Sequence, residues 1–469
     1  MSKTLLLCAA LVLHTGLAAA AKLPGDLRAL LDRYPVPGEN LGLYIAPVGG
    51  GDAISVNGRK PFNPASVIKL LPSLAALEML TPAYRWETRV HTSGPTHGGV
   101  LNGDLHIQGG GDPYLTVEYL WALLRNVRAQ GIERITGDIV VDDGVFRIPA
   151  FDRAAFDDKP HMLYNGPANG LLMNFWSVQF TIRAHSDRVS IDAFPDSDRL
   201  RIVSNIKHSN AGCDRSQRWI RYTVEQASDS VAITFNGVLS SRCRPIVITR
   251  AVIPVERYAE FVLPGLWRSA GGALDGEVRR GGVPEDTAVL LTHPSRSLAA
   301  AVLAANKFSN NMIARHLLLT LGTVAGERGV GPEDGVAALN DWIVSKGLDV
   351  PGLKVINGSG LSRDTRISAQ GVANVLQAGF RSRYAPEFLA SLPIAGEDRA
   401  LARRGFEEPD GAVVRVKTGL LDHVRAMGGY ITTRRGETYV VVLLINHEGI
   451  HQGLGTRMQN ALIRHVLDF

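Results

Sequence analysis

Residues 63–80 read NPASVIKLLPSLAALEML, an apolar helix in the making that carries Ser66 and Lys69 one turn apart. Asn63 suits an N-cap and Pro64 the first helical position, which puts Ser66 in the first turn. There its backbone N–H is free to donate, and the helix dipole favours negative charge. Lys69, three residues on, projects from the same face and can reach the Ser66 hydroxyl. In an apolar, cation-crowded site a lysine loses basicity and can accept the serine proton as a neutral amine. The bland alternative is an exposed serine beside a lysine that snorkels out of a core helix. Pro72 lacks the N–H that would bond the Ile68 carbonyl, which predicts a bend one turn beyond Lys69.

Two further triplets lie downstream. Ser309-Asn310-Asn311 opens the amphipathic stretch NNMIARHLLLTLG, and Lys417-Thr418-Gly419 ends the apolar run AVVRVKTG. Singly they are weak: S-x-x-K recurs at Ser204–Lys207 and S-x-N at Ser55–Asn57. Ser309 on its own reads as an N-cap, and Lys417 as a charge guarding an edge strand. In order, with S-x-x-K at a helix start, S-x-N opening a later helix and K-T-G closing a strand, they form the signature of active-site serine penicillin-recognising enzymes.

Strand-like runs at 40–48 and 52–57 precede the Ser66 helix, and runs at 412–419, 426–433 and 438–447 close the chain. A final helix follows, with apolar Met458, Leu462, Ile463 and Val466. That stripe is expected to pack on the sheet and not to lie on a membrane, since its polar face is not strongly basic. Between about 89 and 284 the texture is β-rich, with helical periodicity confined to roughly 116–130. Helical patterns return at 295–306, 310–321, 332–346 and 368–380. The expected class is α/β (α+β): a central antiparallel five-stranded sheet flanked by helices, interrupted by mostly β inserted domains. The division runs 22–88, 89–284 (two subdomains, the inner at about 170–245) and 285–469.

The chain has 469 residues, enough for two or three domains, and a net charge of +5 without any Lys/Arg block, so nucleic acid is not an expected partner. Lys3, the run LLLCAALVLHTGLAAAA and A-x-A sites before Lys22 read as a secretory signal over 1–21, so the mature protein is expected to be exported, in the periplasm, without a transmembrane anchor. Cys8 lies too near the start for a lipoprotein site. The remaining pair, Cys213 and Cys243, suits one structural disulfide; two buried free thiols are the alternative. Neither cysteine has metal-ligand spacing, and no metal or cofactor is expected.

Together these features resemble the exported D-alanyl-D-alanine carboxypeptidase/endopeptidase penicillin-binding proteins of the low-molecular-mass class C type, with a large insertion between S-x-x-K and S-x-N. GGGDPYL (109–115), NGSGLSR (357–363), LPIAGED (392–398) and KTGLLDHVRAMGGYI (417–431) extend the likeness over nearly the whole mature chain. The resemblance implies that Ser66 attacks the carbonyl between two terminal D-alanines of a peptidoglycan stem peptide, with Lys69 as proton acceptor. It gives Ser309 a proton relay to the leaving amine, and makes Asn311 fix Lys69 and the substrate amide. Lys417 and Thr418 then hold the terminal carboxylate, and Gly419 allows close approach. The N–H groups of Ser66 and Leu420 bind the oxyanion. β-Lactams are implied as covalent inhibitors. Two positions depart from relatives: Leu420 stands where a threonine is usual, and Asn357 where aspartate is commoner. A β-lactamase or esterase on the same serine, and a non-catalytic cell-wall scaffold, are the competing readings. Peripheral membrane contact and homodimer formation stay open.

Overall fold

The computed structural model describes residues 25–398, 401–402 and 412–469. The leader expected at 1–21 lies outside them. The two chain ends meet in one antiparallel sheet, ordered Ile54–Val56, Leu41–Pro47, Thr438–Asn446, Val424–Thr432 and Val413–Leu421. Both of its faces are covered, so the strands read as nearly continuous apolar runs rather than as alternating ones. On one face Leu43, Ile45, Met427, Ile431 and Leu443 pack with Met458, Leu462, Ile463 and Val466 of the closing helix Leu454–Leu467. That helix therefore spends its apolar stripe on the sheet. On the other face Ala426, Tyr430, Val440 and Val442 meet Val67, Leu71 and Leu74, and also Val372 and Leu376 of the helix Ala369–Arg381.

The chain leaves this body along Glu87–Thr92 and returns along Ala288–Pro294, and those two strands pair with each other, Glu87 opposite Pro294. Between them lie sheet-rich layers: the five-stranded sheet that includes these two strands, a four-stranded sheet of two-residue strands, and two three-stranded sheets. One three-stranded sheet joins Val178–Ala184 to Val189–Phe194 and Ile246–Arg250. The other joins Leu200–Ser209, Val231–Ser240 and Arg218–Gln226. Cys213 and Cys243 are bonded to each other at one end of this last sheet. The helix expected near 116–130 is present as Val117–Ala129, but a second helix, Tyr258–Ser269, escapes the sequence reading. It holds Pro264 and Gly265, both unfavourable inside a helix, and is kept by burying Tyr258, Phe261, Val262 and Trp267. Here tertiary packing overrides local propensity.

The Ser66 segment also departs from expectation. Ala65–Lys69 is a 3-10 turn, and the α-helix proper is Leu70–Leu80. Asn63 does not cap a long helix; its Oδ1 accepts the Ala65 N–H at 2.9 Å and starts the tighter turn. Pro72 falls in the first turn of the α-helix, where its missing N–H has no necessary partner. The helix changes type at Lys69–Leu70, before Pro72, and not one turn beyond Lys69 where a bend was expected.

Candidate active site

Four pieces of chain converge on Ser66. The first is its own turn, which begins with Ala65 at a φ of 44°, a left-handed value that a non-glycine residue holds at a cost of about 1–3 kcal/mol. Asn63 clamps the turn. Its N–H donates to Asn446 Oδ1 at 2.7 Å, its carbonyl accepts from Asn446 Nδ2 at 3.0 Å, and its own amide reaches Ser362 O at 2.9 Å. The end of the Thr438–Asn446 strand and the 357–363 stretch therefore both hold the loop that presents Ser66.

Lys69 is fully buried, and its Nζ stands 2.8 Å from Ser66 Oγ. Two carbonyl oxygens complete its surroundings, Asn311 Oδ1 at 2.8 Å and the Ser359 main-chain oxygen. A neutral amine has two protons and one lone pair. With both protons directed at these carbonyls, the lone pair faces the serine hydroxyl. Burial pushes the Lys69 ammonium well below its usual range, and the positive charges of Lys417 and Arg315 push it further the same way.

Ser309 does not serve as an N-cap. That role falls to Asn310, whose side chain accepts the Ile313 N–H at 3.1 Å at the head of the helix Asn311–Gly322. Ser309 is left with its φ at 53° and its Oγ 3.0 Å from Lys417 Nζ. Lys417 sits on the edge strand, as an aggregation-blocking charge would, yet is only 2% exposed. Its Nζ also donates to the Thr418 carbonyl at 2.7 Å, and burial lowers its pKa to about 7.

Gly419 is required by close approach. A Cβ there would stand 2.6 Å from the Pro64 carbonyl and 3.1 Å from Ser66 N. The K-T-G strand thus lies directly against the Ser66 turn, so the following residue, Leu420, belongs to the same wall as the Ser66 N–H. The Leu420 side chain is 53% exposed.

Ser66, Lys69 and Asn311 are brought into one hydrogen-bonded cluster, and Lys417 and Ser309 into a second pair. Thr418 and Gly419 adjoin on the same strand. Two participants escaped the sequence reading, the Ser359 carbonyl and Arg315. The Ser359 carbonyl is main chain and has no side-chain signature, although it lies within NGSGLSR. Asn357 shapes that turn by accepting from Ser359 N at 3.1 Å and donating to Leu361 O at 3.1 Å. Arg315, one helical turn after Asn311, is buried, donates to the carbonyls of Gly166 and Tyr164, and has its pKa lowered by burial to about 10. Its only sequence signal was a charge on an otherwise apolar helix face.

The sequence profile of the D-Ala-D-Ala carboxypeptidase 3 (S13) family matches residues 23–465, and the chain belongs to that family. It is accordingly a hydrolase of the serine-type D-Ala-D-Ala carboxypeptidase class, with a penicillin-recognising α/β fold. Over 452 residues it is 27% identical to a D-alanyl-D-alanine carboxypeptidase of Actinomadura sp. (strain R39), spanning 92% of this chain and 82% of that one. Over 417 residues it is 25% identical to the D-alanyl-D-alanine carboxypeptidase DacB of Haemophilus influenzae, spanning 87% of this chain and 86% of the relative. The crystal structure of penicillin binding protein 4 (dacB) from Haemophilus influenzae superposes with a TM-score of 0.76 at 22% identity, covering 94% of this chain and 99% of the other. A predatory peptidoglycan endopeptidase of Bdellovibrio bacteriovorus, Bd3459, shares the fold more distantly, with a TM-score of 0.53 at 15% identity over 91% and 92% of the two chains. Among the described residues no helix is long and apolar enough to cross a membrane.

Proposed function

We propose that the chain hydrolyses the terminal D-Ala-D-Ala bond of peptidoglycan stem peptides through an acyl-enzyme on Ser66. The observation that carries this reading is the placement of the Lys69 amine, buried and depressed in basicity, 2.8 Å from Ser66 Oγ with two carbonyls to take its own protons. In that arrangement Lys69 takes the Ser66 proton as Oγ attacks the carbonyl carbon. The tetrahedral oxyanion is received by the N–H groups of Ser66 and Leu420, whose segments are in contact at Gly419. Ser309, held by Lys417, relays the proton taken up by Lys69 to the departing D-alanine amine, which returns Lys69 to its neutral form, and the Lys417 charge with the Thr418 hydroxyl holds the terminal carboxylate. Asn311 keeps Lys69 in register and offers its amide to the substrate. Water then attacks the ester with Lys69 again as base.

The curated relatives named D-alanyl-D-alanine carboxypeptidase support this substrate class. β-Lactams, which present an acyl group to the same serine, act as slow-hydrolysing inhibitors in this account, and the site of action is the periplasm. The chain divides at 22–88, 89–284 and 285–469, with the middle segment as an insertion whose 164–166 turn reaches the catalytic helix. Defined muropeptides test the function: wild type releases free D-alanine from a pentapeptide and Ser66→Ala does not. Release that persists in Ser66→Ala, or no release by wild type, sinks the proposal.

A further inference from the structure

The chain carries its small positive charge unevenly. Residues 200–245 contain seven Lys/Arg and three Asp/Glu, a net +4 of the +5 for the whole sequence. The strand register sorts these charges along the sheet Leu200–Ser209, Val231–Ser240 and Arg218–Gln226. Glu225 and one of the seven cations, Arg201, both pair with Ala232 near one end, with Asp229 in the adjoining turn. Lys207, Arg218 and Arg221 lie toward the other end, where Lys207 faces Val238 and Arg218 faces Leu239. Loops carrying Arg215, Arg242 and Arg244 close that end, and the Cys213–Cys243 bond ties them together. Asp214 is the acid there, and its Oδ1 is taken up by Ser216 and Gln217 of its own loop. Among the described residues none of the six cations has a carboxylate partner; the neighbouring ion pairs are Arg183–Asp192 and Arg199–Glu260.

The outward face of this sheet is also unusual. Ile220, Tyr222 and Val224 pack toward the core, so Trp219 and Arg221 point away from it. Trp219 is 45% exposed, with the Arg221 guanidinium 4.5 Å from its ring. Lys207 stands in the same row across Val238, and Asn205 donates to Asn236 at 3.2 Å in the next. A lone indole among amides, threonines and cations is poorly suited to enter a lipid interface, where several projecting apolar side chains are needed. It suits a hydrated anionic polymer, with the cations meeting carboxylates and the indole and amides meeting sugar rings and peptide groups.

We propose that this disulfide-closed end of the 200–245 sheet is a non-catalytic attachment surface for the carboxylate-bearing peptidoglycan polymer. It keeps the enzyme on an insoluble substrate between turnovers. The inference rests on the substrate class proposed above, and its test separates the two. Purified sacculi are incubated with the full mature chain carrying Ser66→Ala, so that retention is read without turnover. The expected result is retention at low salt that is lost in about 0.5 M sodium chloride. With Arg218→Glu, Arg221→Glu and Arg244→Glu added, retention falls about tenfold, and with Trp219→Ala it falls by a smaller factor. In the Ser66 background the same substitutions leave kcat/KM on a soluble pentapeptide unchanged, which also establishes that the variants fold. Equal retention of the unreversed and charge-reversed proteins overturns the attachment surface while leaving the catalytic reading intact. Charge-dependent binding to phosphatidylglycerol vesicles but not to sacculi overturns it in favour of a membrane surface.

Discussion

Asn311 and Arg315, one helical turn apart, both donate to the carbonyl oxygen of Tyr164, at 3.2 and 3.4 Å. Asn311 in turn accepts from Lys69, so a main-chain turn of the middle segment is two hydrogen bonds from the Lys69 amine. Arg315 acts through its neighbours as a positioning residue: it anchors that turn and places a buried positive charge near Lys69.

That charge has a measurable consequence. Acylation requires Lys69 as the neutral amine, so its rate falls as pH drops through the Lys69 pKa. Burial first, then Lys417 and Arg315, keep that pKa low. Removing the guanidinium raises the pKa, so the acid limb of kcat/KM in Arg315→Met moves to higher pH. Arg315→Lys, which keeps the charge, moves it less. A merely structural role would lower the whole profile without shifting its limb.

Lys417 sets the other limb. Its pKa is lowered by burial to about 7, so in the free enzyme the cation that meets the substrate carboxylate is lost as pH rises above neutrality. The kcat/KM profile is therefore bell-shaped, with an alkaline limb near 7 that reports the free enzyme. In the profile of kcat the bound carboxylate favours the charged lysine and carries that limb upward. Coincident alkaline limbs for kcat and kcat/KM would exclude this role for Lys417.

Gly419→Ala tests the contact between strand and turn. The added methyl meets the Pro64 carbonyl at 2.6 Å and must push the strand away from Ser66. The Ser66 and Leu420 donors then no longer converge on one oxygen. The expected loss in kcat is about 10²-fold, with circular dichroism and thermal midpoint near wild type. A loss confined to KM would place the glycine in binding alone.

Lys69, Lys417 and the serines beside them were legible in the sequence because the three triplets stand in a fixed order, at a helix opening, in a loop before a helix and on an apolar strand. The five strands and the closing helix were legible from apolar runs bounded by turn residues and from a 3.6-residue apolar pattern near the two ends of the chain. What the sequence withheld is long-range. Nothing near Ser359 announces that its carbonyl will take a lysine proton 290 positions away. The Tyr258–Ser269 helix was hidden because Pro264 and Gly265 oppose it locally and only burial sustains it. Asn310, not Ser309, capping the Asn311–Gly322 helix was a one-residue choice that only the backbone at Ser309 decides.

Asp112, within GGGDPYL, is buried with the Tyr114 N–H as its partner at 2.8 Å, and burial raises its pKa to about 7. In the unfolded chain the carboxyl ionises near 4, so between pH 4 and 7 the unfolded state loses a proton that the folded state keeps. The contribution of this group to stability is present below pH 4 and falls as pH rises to 7. Asp112→Asn retains the acceptor and removes the charge. Its advantage over wild type should be small at pH 4 and grow to at most about 2–4 kcal/mol above pH 7, read from urea unfolding. A constant difference across that range would contradict the assignment.

The nucleophile itself is tested most directly by intact-protein and peptide mass spectrometry after brief exposure to benzylpenicillin. The account predicts one adduct per chain, located on the peptide containing Ser66. The adduct is absent in Ser66→Ala and is formed at least about 10²-fold more slowly in Lys69→Met at pH 7. No adduct on wild type, or an adduct on any residue other than Ser66, contradicts it.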